Sequence, residues 1–128
     1  LVKRLDKYLS GSPMAGLGRR MVEASVKFTG GQVNPKLCAA VAEAESSRGR
    51  SPRAQGTLHD PFGMLTWTKD KGGFKDFGGA IDCWMQNIIV KPSWAPWQTG
   101  YDIQKPPTYC WTNVDTYAKN VTGVVNSI

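Results

Sequence analysis

A chain of 128 residues, 41% hydrophobic and 20% charged, has the size and make-up of one globular domain able to bury its own core, which excludes a disordered segment. No apolar run approaches the roughly 20 residues that span a bilayer, so no membrane insertion is expected. The net charge of +6, with a pI near 9.4, favours polyanionic partners: nucleic acid, an anionic cell wall or a membrane surface.

The basic residues are scattered along the chain, as in Lys3/Arg4/Lys7, Arg19/Arg20, Arg48/Arg50/Arg53 and Lys69/Lys71/Lys75. No zinc finger or RNP strand pair accompanies them, so a nucleic-acid partner is not expected. Cys38, Cys83 and Cys110 make an odd count without a CxxC pair, which argues against zinc. One disulfide plus one thiol and three buried thiols both remain open. The chain opens "LVKRLDKYL" without Met and without an apolar h-region, so no signal peptide is visible, and the start reads as a cut from a longer protein.

Leu1, Leu5, Tyr8 and Leu9 stand at helical spacing, ending at "SGSP". Ser12-Pro13 then reads as an N-cap followed by proline at the first helical position. From there Leu17, Met21, Val22, Ser25, Val26 and Thr29 keep a helical period that stops at Gly30-Gly31. Asn34-Pro35 repeats the start signal. The helix behind it carries Leu37, Cys38, Val41, Ala44 and Glu45 on adjoining turns, so Glu45 is expected on the apolar face and Glu43 off it. Residues 46–60 read as loop. "MLTWT" and "GFKDF" around "KDKGG" predict a short hairpin. A strong helix follows over 80–90, closed by Lys91-Pro92. The stretch "SWAPWQTGYDIQKPPTYCW" is too irregular for a regular element. Val114, Tyr117, Val121, Val124, Val125 and Ile128 mark a last amphipathic helix. The expected fold class is α+β, mainly α, in a single domain over 1–128.

Glu45 closes an alanine-rich helix, and this raises a chemical question. Packing on an apolar face disfavours its charged form, and the negative end of the helix dipole does so again. Arg48 and Arg50 would oppose both if they pointed inward. A carboxyl that keeps its proton near neutral pH can act as a general acid. Cleavage of a glycosidic bond needs such a group to protonate the departing sugar oxygen.

The order "AAVAEAESSRGRS", "HDPFGM", "FKDFGGAIDCWMQNI" resembles the lysozyme-like superfamily, and within it the glucosaminidase-type and phage endolysin muramidase-type domains. The likeness covers roughly residues 12–89. It implies a helical lobe and a small β-hairpin lobe with a cleft between them. It also implies a peptidoglycan hydrolase that cuts β-1,4 bonds of the glycan strand, as a muramidase or N-acetylglucosaminidase. Glu45 would be the general acid and Ser46 its small neighbour. Asp60, Pro61, Phe62 and Gly63 would form a turn lining the cleft floor, and Tyr109 or Tyr117 would be a helper tyrosine. The chain departs from the family at Arg48, where an aromatic is frequent, and at Asp60, which replaces an asparagine. Its "YCWTNVDTYA" only loosely echoes the terminal motif of the glucosaminidases.

A second carboxylate would come from Asp60, Asp70 or Asp76. Asp70 reads as part of a solvated turn and Asp76 as an N-cap. A mechanism without a second carboxylate is also available: the substrate's own N-acetyl group, or a sugar hydroxyl as in lytic transglycosylases, attacks instead. Trp67, Trp94, Trp97 and Trp111 stand outside any helical stripe and suit either a sugar-stacking groove or core burial. His59 has no metal-spaced companions and no nucleophile partner, so it reads as loop structure or a polar group of the cleft. Ser46 and Ser47 lack the setting of a serine hydrolase. Gly72-Gly73 is a turn rather than a phosphate loop. The expectations are therefore bacterial peptidoglycan as partner, no cofactor or metal, a monomeric module, and action at the bacterial cell wall. The competing readings are a lytic transglycosylase and a wall-binding module without turnover.

Overall fold

A computed structural model describes residues 1–64, 72–90 and 114–128. Six helices occur in them: α1 (Val2–Leu9), α2 (Gly18–Thr29), α3 (Pro35–Ser46), the single turn α4 (Pro52–Gln55), α5 (Phe77–Val90) and α6 (Val114–Ser127). The fold is therefore mainly α, as expected. No strand is found among the described residues. Most of the first arm of the expected hairpin lies outside them. Its second arm, 73–77, is not a strand: it bends and passes into α5. Asp76 is the cause, since its Oδ1 accepts from Gly79 N–H at 2.8 Å and so starts the helix. Phe74 keeps one backbone bond, donating from N–H to Leu58 O at 2.8 Å.

α3 is the central element and packs against α1, α2, α5 and α6. Its residues 37–42, Leu-Cys-Ala-Ala-Val-Ala, are all buried. A helix apolar all round belongs in the middle of a bundle, and its alanines let neighbours approach from several sides. Asn34 caps it by accepting from Lys36 N–H at 3.0 Å, with Pro35 in the first position, as the sequence indicates. Leu5, Leu9, Met14, Met21, Ile81, Trp84, Met85 and Val121 fill the space around it.

The second helix departs from expectation. Ser12-Pro13 opens a turn rather than a helix: Ser12 Oγ donates to Leu9 O at 2.6 Å and accepts from Met14 N–H at 3.2 Å. α2 begins at Gly18, whose N–H donates to Asp6 Oδ1 at 2.8 Å. A side chain at Gly18 would put its Cβ 2.8 Å from Val2 O and 2.9 Å from Leu5 Cβ, so only glycine lets α1 and α2 lie this close. Gly30, in the left-handed conformation, closes α2 as expected. The expected loop over 46–60 contains α4, capped by Ser51 Oγ, which accepts from Ala54 N–H at 3.3 Å.

Candidate active site

The end of α3 is fixed by hydrogen bonds that collect on Ser46. The single proton of its buried hydroxyl lies between the carbonyls of Ala42, at 2.9 Å, and Pro61, at 2.7 Å, and its Oγ accepts from Gly49 N–H at 3.0 Å. Beyond it the chain takes a left-handed step at two non-glycine residues, Ser47 (φ 52°) and Arg48 (φ 59°). Such residues resist this conformation by about 1–2 kcal/mol each. The Arg48 side chain supplies compensation. Its Nη1 donates to Tyr8 O at 2.6 Å, its Nε stands 2.7 Å from Glu43 Oε2, and its guanidinium lies 4.8 Å from the centre of the Tyr8 ring.

This arrangement corrects the expected facing of the two acids. Glu43 is half-buried and paired with Arg48, whereas Glu45 is the exposed one. The burial that surrounds α3 ends at Ala42, so no apolar face continues to Glu45. Its carboxyl is enclosed by two other parts of the chain. Tyr117 of α6 donates its phenol proton to Glu45 Oε1 at 3.3 Å. Gly63 sits against the other oxygen: a Cβ there would lie 2.8 Å from Glu45 Oε2. Gly63 also has φ +69°, so the position demands glycine twice. The family likeness implied that Gly63 lines a cleft floor; in the structure the general-acid candidate lies against its backbone.

Desolvation raises the proton affinity of Glu45 above its ordinary value; the Tyr117 hydrogen bond works against this, and the negative charge of Asp60 adds to it. The C-terminal end of α3 acts in the raising direction too. Neither Arg48 nor Arg50 is among the groups that set this affinity: Arg48 is bound to Glu43 and Tyr8, and the Arg50 guanidinium is turned to the carbonyls of Ser47 and Gly11. Glu45 opens onto a surface concavity of about 350 Å³, lined by Ala44, Glu45, Ser46, Ser47, Arg50 and Ser51.

The turn over 60–63 is built from its own side chains. Asp60, 2% exposed, accepts from Met64 N–H at Oδ1, 3.0 Å away. Pro61 O is held by Ser46, and Phe62 is fully buried, stacked on Trp84 with ring centres 5.5 Å apart. Phe62 is thus a core anchor rather than part of a cleft floor, because its ring points down into the helices. Ser46 is likewise buried and ties helix to turn instead of meeting a substrate. Asp60 is walled in and committed to the loop backbone, so it is placed to influence Glu45 by charge rather than by contact with a ligand. His59 belongs to the loop frame: its Nδ1 lies 3.0 Å from Phe74 O and its ring meets Phe77 edge-on at 5.4 Å.

The structure therefore joins Glu45, Gly63 and Tyr117 directly, with Asp60 near them. Tyr109, Trp67, Trp94, Trp97, Trp111 and Asp70 lie outside the described residues. Sequence reasoning missed the Tyr8–Glu43–Arg48 cluster. Its one signal was Tyr8 on the apolar face of α1, since a phenol on such a face needs a polar partner. Burial, and then the Glu43 carboxylate, push that phenol above its usual 10.0. Cys38 is buried and its thiol is pushed well up by that burial. Among the described residues no group of three or more His, Cys, Asp or Glu could hold a metal ion, and no helix is long and apolar enough to cross a membrane. The chain matches no known family, no curated protein and no solved structure, so the chemistry of the site rests on its own geometry.

Proposed function

We propose that this chain cleaves β-1,4-glycosidic bonds in the glycan strand of bacterial peptidoglycan, with Glu45 as general acid. One observation carries the reading: Glu45, whose carboxyl has a raised proton affinity, lines an open concavity, with one oxygen hydrogen-bonded by Tyr117 and the other lying against Gly63. A group so held donates its proton to a leaving sugar oxygen without first having to be oriented. The reading takes the chain as a lysozyme-like domain whose cleft opens at the end of α3 and which acts at the cell wall as a monomer. The charge of +6 would concentrate it on anionic wall polymers.

A second route has a specific observation behind it. Asp60 is the carboxylate whose charge reaches Glu45, yet it is buried and engaged with Met64 N–H. Attack by the substrate's own N-acetyl group or by one of its sugar hydroxyls needs no protein nucleophile; the hydroxyl route leaves an anhydro end and would make the chain a lytic transglycosylase, whereas the N-acetyl route still ends with water as a hydrolase. Mass spectrometry of the released fragments separates an anhydro end from a hydrolysed one.

The test is wall clearing by purified Glu45→Gln protein beside the parent. The amide keeps the shape and loses the proton, so the rate should fall by at least ~100-fold with wall binding retained. Clearing at the parental rate would remove Glu45 from the chemistry. Wall binding by a parent protein that releases no fragments would instead identify a binding module.

A further inference from the structure

We infer that Arg50 forms an anion subsite beside Glu45, which takes a carboxylate carried by the glycan substrate. The inference rests on the peptidoglycan reading above for the identity of the glycan, but the subsite itself is read from the arginine.

Two arginines leave the end of α3 in opposite conditions. Arg48 is neutralised by Glu43, whereas among the described residues no carboxylate pairs with Arg50. Arg50 is exposed and lines the same concavity as Glu45. It is also held in place. Its Nη1 donates to Ser47 O at 3.0 Å and its Nη2 to Gly11 O at 3.0 Å. Its backbone N–H donates to Ser46 O at 2.8 Å, and its carbonyl accepts from the Gln55 amide. The left-handed turn at Ser47 and Arg48 aims the Ser47 carbonyl at this guanidinium. Carbonyls fix a guanidinium without cancelling its charge. A planar fork oriented in advance on the wall of an open pocket, with N–H groups beyond those given to Ser47 and Gly11, is suited to a carboxylate, which can take two parallel hydrogen bonds from a guanidinium.

The neighbouring acid fits this assignment. A protonated Glu45 does not repel an incoming carboxylate, and the bound anion would in turn help Glu45 keep its proton. Charge in the subsite and proton at the acid support one another. Two sources of carboxylate exist on the glycan: the lactyl group of an unsubstituted muramic acid, and the free carboxylates of an attached peptide.

Calorimetric titration of the Glu45→Gln protein, in which cleavage should be slowed at least ~100-fold, separates the cases with three probes. These are neutral chitotetraose, a tetrasaccharide alternating N-acetylglucosamine and muramic acid with free lactyl groups, and the same tetrasaccharide carrying stem peptides. One or both acidic probes should bind about 10-fold tighter than chitotetraose, the preferred one naming the source. Adding Arg50→Gln should abolish that preference while chitotetraose affinity stays, and Arg50→Lys should restore part of it. Equal affinity for all three probes overturns the subsite, as does an equal loss for all three on Arg50→Gln, or failure of every probe to bind. Wall clearing by the parent is scored separately. A carboxylate preference without clearing retains the subsite and removes the hydrolase.

Discussion

Tyr117 and Glu45 are separated by 72 positions in the chain, and their contact is the most informative pairing in the molecule. The phenol donates to Glu45 Oε1, a bond that favours the charged carboxylate and so restrains a proton affinity that burial and Asp60 raise. Tyr117→Phe removes the restraint while keeping the ring. The ionised form loses its donor, so the acid should hold its proton to higher pH. Activity that needs the protonated acid falls as pH rises through that group's pKa, and the falling limb should therefore move to higher pH in the variant. A pH profile of wall clearing for the two proteins measures this. A limb that stays in place, or moves to lower pH, would show that the phenol does not act on Glu45 in this way. Gly63 supports the same carboxyl by what it lacks, since any side chain would occupy the position of Oε2.

The element that presents Glu45 ends under strain, and the strain can be measured. Arg48 sits at φ 59° and makes three contacts that hold the step in place. Arg48→Ala and Arg48→Gly lose those contacts equally, a cost of about 1–3 kcal/mol. They differ in the backbone: alanine keeps the left-handed penalty and glycine does not. Glycine should accordingly be the more stable replacement by about 1 kcal/mol in urea unfolding, the reverse of the order inside a helix. Alanine equal to or better than glycine would show that the turn is not strained. Elements with local signals were legible in the sequence: Asn34-Pro35 capped α3, Asp76 started α5, and the valine spacing marked α6. Elements decided at a distance were not. α2 starts at Gly18 because Asp6 reaches across from α1 to cap it, and nothing near Ser12-Pro13 announces that. "GFKDF" carries the aromatics of a strand, but Phe74 and Phe77 stand three apart, which suits a turn entering a helix, and Asp76 decides between them. The site was half legible for the same reason. The Glu-Ser end of a helix and the Pro-Phe-Gly turn could be read locally, whereas the sorting of Glu43 towards Arg48 and Glu45 towards Tyr117 depends on where α1 and α6 pack.

Among the described residues, α3 is surrounded from Leu37 to Ala42 and emerges again at its last turn, where α6 and the turn over 60–63 converge on it. A carboxyl of raised proton affinity at that exit has a consequence for stability. Glu45 binds its proton more tightly folded than unfolded, where its ordinary value is 4.5. At pH well below that value both states are protonated and the group contributes nothing to the balance. As pH rises past it the unfolded chain ionises first, the folded chain holds the extra proton, and stability falls; above the folded value the penalty is constant. Glu45→Gln mimics the protonated side chain at every pH and escapes this penalty. The variant should melt with the parent at about pH 3.5 and above it at about pH 7.5. The exposure of Glu45 limits the difference to roughly 1–2 °C for a domain of this size. On the proposed function, the lysis that Glu45→Gln would lose and the stability it would gain have one cause, a carboxyl kept where it prefers to stay neutral. Melting curves at the two pH values test the link. A variant that melts below the parent at neutral pH would mean that the carboxylate stabilises the fold, and that Glu45 is an ordinary ionised side chain rather than a reserved acid.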